Sequence, residues 1–180
     1  RNLLHDRVRF LVTVVGITFA TFLMIFQGSL LAGFIRAASV VIDATDADIW
    51  IMARGVPSFD FSVPLPRRFG DLAMGVDGVA IVQRIVLGHG VWKKPSGSHQ
   101  TIALVGAETG VGGKFPFDYL NQKAGTLQPD SVLIDVSTAH LFEASSLPQE
   151  IEINERRAHL AKMVDGFGTF HGNPYVFTDY

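Results

Sequence analysis

The chain has 180 residues, a net charge of −2 and no cysteine. The lack of cysteine excludes a disulfide framework, thiolate metal ligands and a thiol nucleophile, and the near-zero net charge argues against a nucleic-acid-binding protein. Charged residues make up 18% of the chain, below the roughly 25% of an average soluble protein, and the mean hydropathy is +0.28. This composition indicates that part of the chain lies in a membrane.

One apolar segment near the N-terminus accounts for the high hydropathy. Residues Phe10–Ile35 contain no charged side chain, and about 20 apolar residues suffice for a helix to cross the hydrocarbon core of a bilayer. We predict a retained transmembrane helix over 10–35; a buried core helix and a cleavable signal peptide are the alternatives. Gln27 is the only strongly polar residue in it, and we expect its amide to bond to another membrane helix or to reach the lipid interface.

The charges on either side of this segment predict its orientation. The lead over residues 1–9 is basic, whereas Arg36 and then three aspartates follow the segment. Basic residues favour the cytoplasmic side of a membrane. We therefore predict a cytoplasmic N-terminus, with the bulk of the chain outside, which in a bacterium means an inner-membrane protein facing the periplasm.

A helical stalk is predicted over 36–47, because this stretch lacks glycine and proline and its helical composition extends to about residue 45. Val40 and its two apolar neighbours are expected to pack one side of the stalk against another part of the protein. The candidate residues of the stalk are Arg36, Val40, Asp43, Asp46 and Asp48. The three aspartates resemble a calcium-binding ladder only superficially, since they lack the turn glycine and closing glutamate of an EF-hand.

The remaining residues, 48–180, are predicted to form a mixed, strand-rich domain, so that the fold class is α+β. Short runs of β-branched and apolar residues between turn signals predict strands. These runs are Ile49–Met52, Val79–Trp92, Gln100–Gly106, Ser131–Asp135, Glu150–Ile153, Arg156–Val164 and Tyr175–Phe177. Short helices are predicted around Arg67–Met74 and over Ser137–Phe142, the latter with Ser137 as its N-cap. The glycine-rich stretch Gly106–Phe117 is predicted to be a loop.

Motifs that would carry chemistry are weak. The run Gly106–Lys114 departs from a phosphate-binding loop, because Glu108 and Phe115 stand where glycine and a hydroxyl residue are needed. His89 and His99 would form only a partial metal site if they met across a hairpin, and we expect them to be exposed strand residues instead. A second set, Ser131, Asp135 and His140, contains the residue types of a hydrolase triad without a nucleophile elbow. We therefore predict no catalytic, cofactor or metal site.

Three segments carry a resemblance to a known family. They are the lead Asn2–Phe10 (NLLHDRVRF), the segment Asp46–Gly55 (DADIWIMARG), and Glu150–Phe177 with the ending PYVFTDY. Their order resembles the permease subunits of MacB-type ABC exporters, in particular the DevC-like branch, which are distant relatives of FtsX and of the lipoprotein-releasing permeases. In that family a first membrane helix and a periplasmic domain precede three more membrane helices, so we expect the chain to be a fragment of such a subunit.

The resemblance implies an export function without catalysis by this chain. ATP hydrolysis would occur on a separate ABC ATPase subunit, and the partners would be that ATPase, a periplasmic adaptor (membrane fusion) protein, an outer-membrane channel, membrane lipid and a second permease copy in a homodimer. The chain itself would transmit the ATP-driven movement to the periplasm. The alternatives are a single-pass anchored binding or sensor module without an ATPase partner and, less well supported, an anchored hydrolase.

Overall fold

The computed structural model describes residues 7–108, 115–117, 120, 130–144, 147, 149–169 and 172–179. The chain divides into two compact units, Arg1–Arg36 and Ala37–Tyr180. The described part of the first unit is helical throughout and belongs to helix α1, which spans Arg7–Asp43. By length and composition α1 is able to cross a membrane, which agrees with the predicted apolar helix.

The second unit contains a closed six-stranded β-barrel. Its strands are β1 (Ile85–Lys93), β2 (His99–Ala107), β3 (Ser131–Asp135), β4 (Gln149–Ile153), β5 (Arg156–Val164) and β6 (Tyr175–Asp179). They follow the order β1-β2-β6-β3-β5-β4 around the barrel, and β4 closes on β1. The β2–β6 and β3–β5 pairs are parallel, and the other four are antiparallel. The α+β fold class predicted from the sequence is confirmed.

Alternating side chains divide the apolar residues of the barrel into two clusters. All six strands contribute to the first cluster, which therefore fills the barrel interior: Trp92, Ile102, Val132, Ile134, Ile151, Ile153, Leu160 and Val176, with Phe142 beside them. The second cluster covers one outer face of the barrel. It combines strand residues such as Val105 and Phe177 with Val41 from the end of α1 and with aromatic residues from the connecting segments.

Two tight hairpins connect β1 to β2 and β4 to β5. In the β1–β2 turn Lys94 N donates to Ser98 O at 2.8 Å, and Gly97 has a φ of 84°. The β4–β5 turn places Asn154 and Glu155 at φ values of 50° and 64°. Asn154 also exchanges two hydrogen bonds with Val91 on β1, at 2.9 and 3.0 Å. This residue therefore extends the short seam between β1 and β4, where only two residue pairs are in register.

Two predicted strands are wrong in whole or in part. Ile49–Met52 is not a strand, and its first and third residues are exposed. The predicted strand Val79–Trp92 begins only at Ile85, the residue opposite the last residue of β2. Both differences have the same reason, since neither Ile49–Met52 nor 79–84 has a strand partner within the described ranges. A strand needs a neighbour to satisfy its backbone groups, which local composition does not provide.

The predicted helices are present with corrected ends. Helix α2 spans Arg68–Met74, as expected, and a single 3₁₀ turn over Phe59–Phe61 interrupts the proline-containing loop before it. A 3₁₀ turn over Val136–Thr138 leads into α3 (Ala139–Phe142). The predicted cap was wrong: Asp135 accepts the Ser137 N–H at 2.7 Å, because the carboxylate at the end of β3 is already in place to cap the next turn. Most of the predicted loop Gly106–Phe117 lies outside the described residues.

Candidate mechanical junction

The end of helix α1 is built into the outer face of the barrel unit. Val41 is 1% exposed and belongs to the outer-face cluster, while Val40, Ile42 and Ala44 are half-buried against the same cluster. Val41 is the only buried residue in the described length of α1. The last turn of the helix is therefore attached to the barrel unit by apolar packing.

A polar arrangement ends the helix just after this apolar contact. The predicted stalk helix to about residue 45 is two residues too long, because Thr45 directs both its N–H (3.1 Å) and its hydroxyl (2.8 Å) to the carbonyl of Ile42. Such local bonds compete with the regular helical pattern. The Thr45 hydroxyl also accepts a hydrogen bond from Trp50 Nε1 at 3.1 Å. Trp50 is thereby held against the end of the helix.

Aromatic rings continue the contact from Trp50 to the barrel strands. Trp50 meets Phe59 edge-on with 6.2 Å between ring centroids, and Phe59 meets Tyr175 on β6 at 6.5 Å. Tyr175 in turn contacts Phe177 at 6.2 Å on the same strand. Offset and edge-to-face ring pairs at these separations are attractive and directional. The result is a continuous path of packed side chains from the end of α1 to β6, which we call the junction.

One partly buried hydrogen bond fixes the loop side of the junction. The hydroxyl of Tyr175, a residue that is 1% exposed, donates to Asp60 Oδ1 in the 3₁₀ turn that carries Phe59. Burial of the phenol, followed by the hydrogen bond to and the negative charge of Asp60, raises the pKa of Tyr175 well above its ordinary value. The hydroxyl therefore keeps its proton and remains a donor throughout the physiological pH range.

A small cleft lies beside this hydrogen bond. It has a volume of about 160 Å³ and is lined by Asp60, Phe61, Leu87, His89, Ala103 and Asn173. The cleft combines a carboxylate, an imidazole and an amide with apolar walls. No group of three or more His, Cys, Asp and Glu residues that could hold a metal ion occurs in the described part of the chain.

The other predicted stalk residues are exposed. Asp43, Asp46 and Asp48 are exposed, and Asp43 Oδ2 accepts a hydrogen bond from Ser39 at 2.6 Å. Arg36 lies in the first unit and is exposed, as is Gln27. The structure therefore places Val40 beside the packed contact and leaves the charged stalk residues on the surface, while the role predicted for Gln27 stays a prediction.

The weak chemical motifs resolve into structural roles. His89 on β1 lies opposite Ala103, and His99 on β2 lies opposite Lys93. The two histidines are thus offset by four positions along the β1–β2 ladder and do not meet across the hairpin. Asp135 is buried, and its oxygens accept hydrogen bonds from the Ser137 N–H, the Ser137 hydroxyl and the Phe167 N–H.

These bonds commit Asp135 to holding the chain after β3, while His140 is exposed. Asp135 therefore serves as a structural anchor. Of the phosphate-loop-like run, Glu108 bonds to Arg84 through its carboxylate, and residues 109–114 lie outside the described ranges.

Most of the junction is not predicted by the sequence patterns. Trp50 and Tyr175 fall within predicted strands, and no pattern marks Phe59 or Asp60 as functional residues. The available signal was the spacing of large aromatic residues among prolines in 54–66, since an aromatic side chain in such a loop usually needs a buried contact. In comparisons with known proteins, no family model and no curated protein matches the chain.

Proposed function

We propose that this chain is the first membrane helix and the extracytoplasmic domain of a MacB-like, DevC-like permease subunit of an ABC export complex. In this proposal α1 is anchored in the bacterial inner membrane with its N-terminus in the cytoplasm. The barrel unit lies in the periplasm, where it works with an adaptor protein and an outer-membrane channel. ATP is hydrolysed on a separate subunit.

The observation that carries the proposal is the burial of Val41 at the end of a helix long enough to cross a membrane. A flexible linker would let a membrane helix move without its domain. Here the helix keeps its regular hydrogen bonds up to a turn that is packed into the apolar outer face of the barrel unit. Apolar packing of this kind resists small displacements, because protein interiors are dense and deform little.

The proposed mechanism is mechanical. Closure of the membrane helices, driven by ATP binding on the partner subunit, shifts α1 along or around its axis. Val41 and the aromatic path from Trp50 to Tyr175 pass this displacement to strand β6, which is paired on both sides with β2 and β3. A closed barrel moves as one body when one strand is displaced, so its outer surface changes position relative to an adaptor. Such coupling needs contiguous packed groups between two states.

The proposal is tested in two steps, first by copurification with an ATPase and then by the effect of a substitution in the junction on export. The full-length protein, purified with its partners in detergent, is expected to retain an ABC ATPase. The reading frame that encodes this chain is expected to encode three further hydrophobic spans as well. A full-length protein that copurifies with no ATPase, from a reading frame without those spans, would contradict the exporter.

A coupling test uses Val41→Asp, which places a charge in the outer-face cluster. Export by the complex is expected to fall sharply while the complex still assembles. The matched control is Val136→Asp, at a position that is 55% exposed. Normal export with Val41→Asp in an assembled complex would rule out α1 as the transmitter.

The second candidate is an anchored binding or sensor module without an ATPase. The small cleft beside Asp60, with its carboxylate, imidazole and amide, is the feature that favours it. In that case the protein would bind a ligand in this cleft without copurifying with an ATPase, and His89→Ala would abolish that binding. The exporter proposal instead expects an ATPase partner and export that His89→Ala leaves unchanged.

A further inference from the structure

Among the helices and strands that the structure describes, α2 is the one without a buried side chain. Its apolar residues Phe69, Leu72 and Met74 are 39%, 65% and 52% exposed. A helix of seven residues is too short to be stable by itself in water. Something other than apolar packing must therefore hold α2 in place.

Arg84 supplies a polar attachment between α2 and the barrel. Its Nη2 lies 2.7 Å from Asp71 Oδ1 on α2, and its Nη1 lies 3.2 Å from Glu108 Oε2, just after β2. The backbone continues the same contact, since Glu108 N donates to the carbonyl of Arg84 at 2.8 Å. One guanidinium thus joins a residue of α2 to the position that follows the last pair of the β1–β2 ladder.

The fit around Arg84 is close. A Cβ atom added at Gly70 would lie 3.3 Å from Arg84 Nε, so the glycine lets α2 lie against the guanidinium. The Nε atom itself is buried and has no hydrogen-bond partner within the described ranges. The carboxylates of Asp71 and Glu108 therefore orient the guanidinium, whereas Nε does not contribute a hydrogen bond. The attachment of α2 thus depends on charge.

We propose that Arg84 is a charge-dependent clasp that holds α2 against the barrel, and that opening the clasp releases α2 together with its exposed apolar side chains. With the clasp closed, Phe69, Leu72 and Met74 are presented in one fixed orientation. With the clasp open, their orientation relative to the barrel is no longer fixed. The inference does not depend on transport, because it concerns only the contact between α2 and the barrel unit.

Charge dependence follows from the exposure of the three groups. The side chains of Arg84, Asp71 and Glu108 are 35%, 70% and 41% exposed. Ion pairs of this kind are screened by salt, and the Debye length falls to about 3 Å at ~1 M salt. Because none of the side chains of α2 is buried, we expect screening of these ion pairs to release the helix.

The absence of cysteine allows a clean distance measurement on the full chain. Spin labels are attached to Leu72→Cys on α2 and Val136→Cys on the barrel, both at exposed positions, and the interlabel distances are measured by double electron–electron resonance. The unmodified clasp is expected to give one narrow distance distribution at low salt. The distribution is expected to broaden at ~1 M salt, and with Arg84→Glu at any salt concentration.

A charge exchange separates an ionic clasp from a merely structural role of Arg84. Adding Asp71→Arg to Arg84→Glu is expected to restore the narrow distribution, because the pair attracts again with reversed signs. Arg157→Glu is the matched control, since Arg157 forms an ion pair with Glu150 elsewhere on the barrel, at 3.8 Å, and it is expected to leave the distribution unchanged.

Two results would overturn the clasp. One is a narrow distribution that persists with Arg84→Glu in a folded protein. The other is a failure of the charge exchange to restore the distribution. If Arg84→Glu does not fold, Asp71→Asn serves instead, since that side chain is largely exposed. It must then broaden the distribution, and an unchanged distribution would contradict the proposal. Copurification of the ATPase with these variants tests the exporter proposal, whereas the distance distribution tests the clasp. The failure of one proposal can therefore be told apart from the failure of the other.

Discussion

Tyr175 joins strand β6 to the 3₁₀ turn over Phe59–Phe61 through one side chain. Its ring packs against Phe59 and Phe177, and its hydroxyl donates to Asp60 in the loop that follows α1. A phenol buried beside a carboxylate favours its protonated form, since both burial and the nearby charge oppose the phenolate. The residue is therefore a donor of fixed protonation state and a packing element at the same time.

Removal of this hydroxyl tests its contribution to stability. Tyr175→Phe keeps the ring but leaves Asp60 without its donor, and we expect unfolding free energy to fall by about 1.5–3 kcal/mol, the range for hydrogen bonds to charged groups. Thermal or denaturant unfolding of the full chain in detergent measures the change. Thr178→Val, which removes a neutral hydrogen bond to Ser131 O, is the control and is expected to cost less.

The pH dependence of this contribution has a definite sign. The pKa of Tyr175 is higher in the folded than in the unfolded chain. The contribution is therefore fully present below the unfolded value of about 10 and is lost as pH rises above it. We expect the difference in stability between the native protein and Tyr175→Phe to narrow above pH ~10. A difference that grows with pH would show that the sign is wrong.

Val41 is the residue on which the attachment of α1 depends. Full burial of a valine side chain contributes about 1.5–3 kcal/mol, and we expect Val41→Ala to lower the unfolding free energy of the barrel unit by part of that amount. Trp50 fluorescence, in a Trp92→Phe background, reports on the junction itself. Val136→Ala at an exposed position is expected to change stability by less than about 0.5 kcal/mol, and an equal loss at both positions would exclude a special role of Val41.

At the scale of elements, the β4–β5 turn carries a correctable strain. Asn154 tolerates a positive φ, and its side chain accepts a hydrogen bond from Val91 N on β1. Glu155 has a φ of 64° and is not a residue type that favours the left-handed region. A non-glycine residue in the left-handed region costs roughly 1–2 kcal/mol, and asparagine–glycine is the favoured pair for such a turn. We expect Glu155→Gly to raise the midpoint of thermal unfolding.

A second glutamate provides the contrast for this prediction. Glu143 also has a positive φ, of 54°, at the end of α3, but its carboxylate accepts hydrogen bonds from the Ser96 N–H and hydroxyl at 3.2 and 3.0 Å. Glu143→Gly relieves the same backbone strain and loses both bonds. It should therefore bring no net gain, and a stabilisation equal to that of Glu155→Gly would contradict the explanation from side-chain bonding.

In the stalk, the feature to test is the uninterrupted course of helix α1. Proline at Val40 would remove a backbone donor and clash with the carbonyl of Arg36, at a cost of roughly 3 kcal/mol or more. We expect Val40→Pro to leave membrane insertion and assembly of the complex largely intact. ATP hydrolysis by the partner should remain measurable while export falls severely.

Because Ala44 is half-buried against the outer-face cluster, the control for this change is Ala47→Ser, at an exposed position past the end of α1, which is expected to have little effect. Normal export by an assembled Val40→Pro complex would show that a stiff helix is not required. The anchored sensor would then become the better explanation.

At the scale of the whole molecule, the charge distribution of the chain predicts its orientation in the membrane. The lead before Phe10 is basic and the segment after Ile35 carries acidic residues, so the N-terminus is expected in the cytoplasm. Alkaline phosphatase fused after Tyr180 should be active, because this enzyme folds only outside the cytoplasm. A cytoplasmic reporter fused at the same position should be inactive, and the reverse pair of results would invert the topology.

Sequence alone determined the features that depend on local composition. The apolar segment Phe10–Ile35, the turn after Lys93, strand β3 and the two hairpins are recognisable because a long apolar run, turn residues and β-branched residues act over a few positions. The closure of the barrel was not predictable in this way, because the parallel pairs β2–β6 and β3–β5 join segments far apart in the chain.

Tertiary structure alone decided which residues form the junction and which elements exist as strands. Ile49–Met52 has the composition of a strand but no strand partner among the residues described. Its tryptophan instead donates a hydrogen bond to the Thr45 hydroxyl just past the end of α1 and packs on Phe59. Asp135 shares its residue type with a hydrolase triad, but in the structure it is a cap, because three hydrogen-bond donors converge on it. Composition sets which side chains leave water, whereas their partners are set by contacts between distant segments, which no local pattern records.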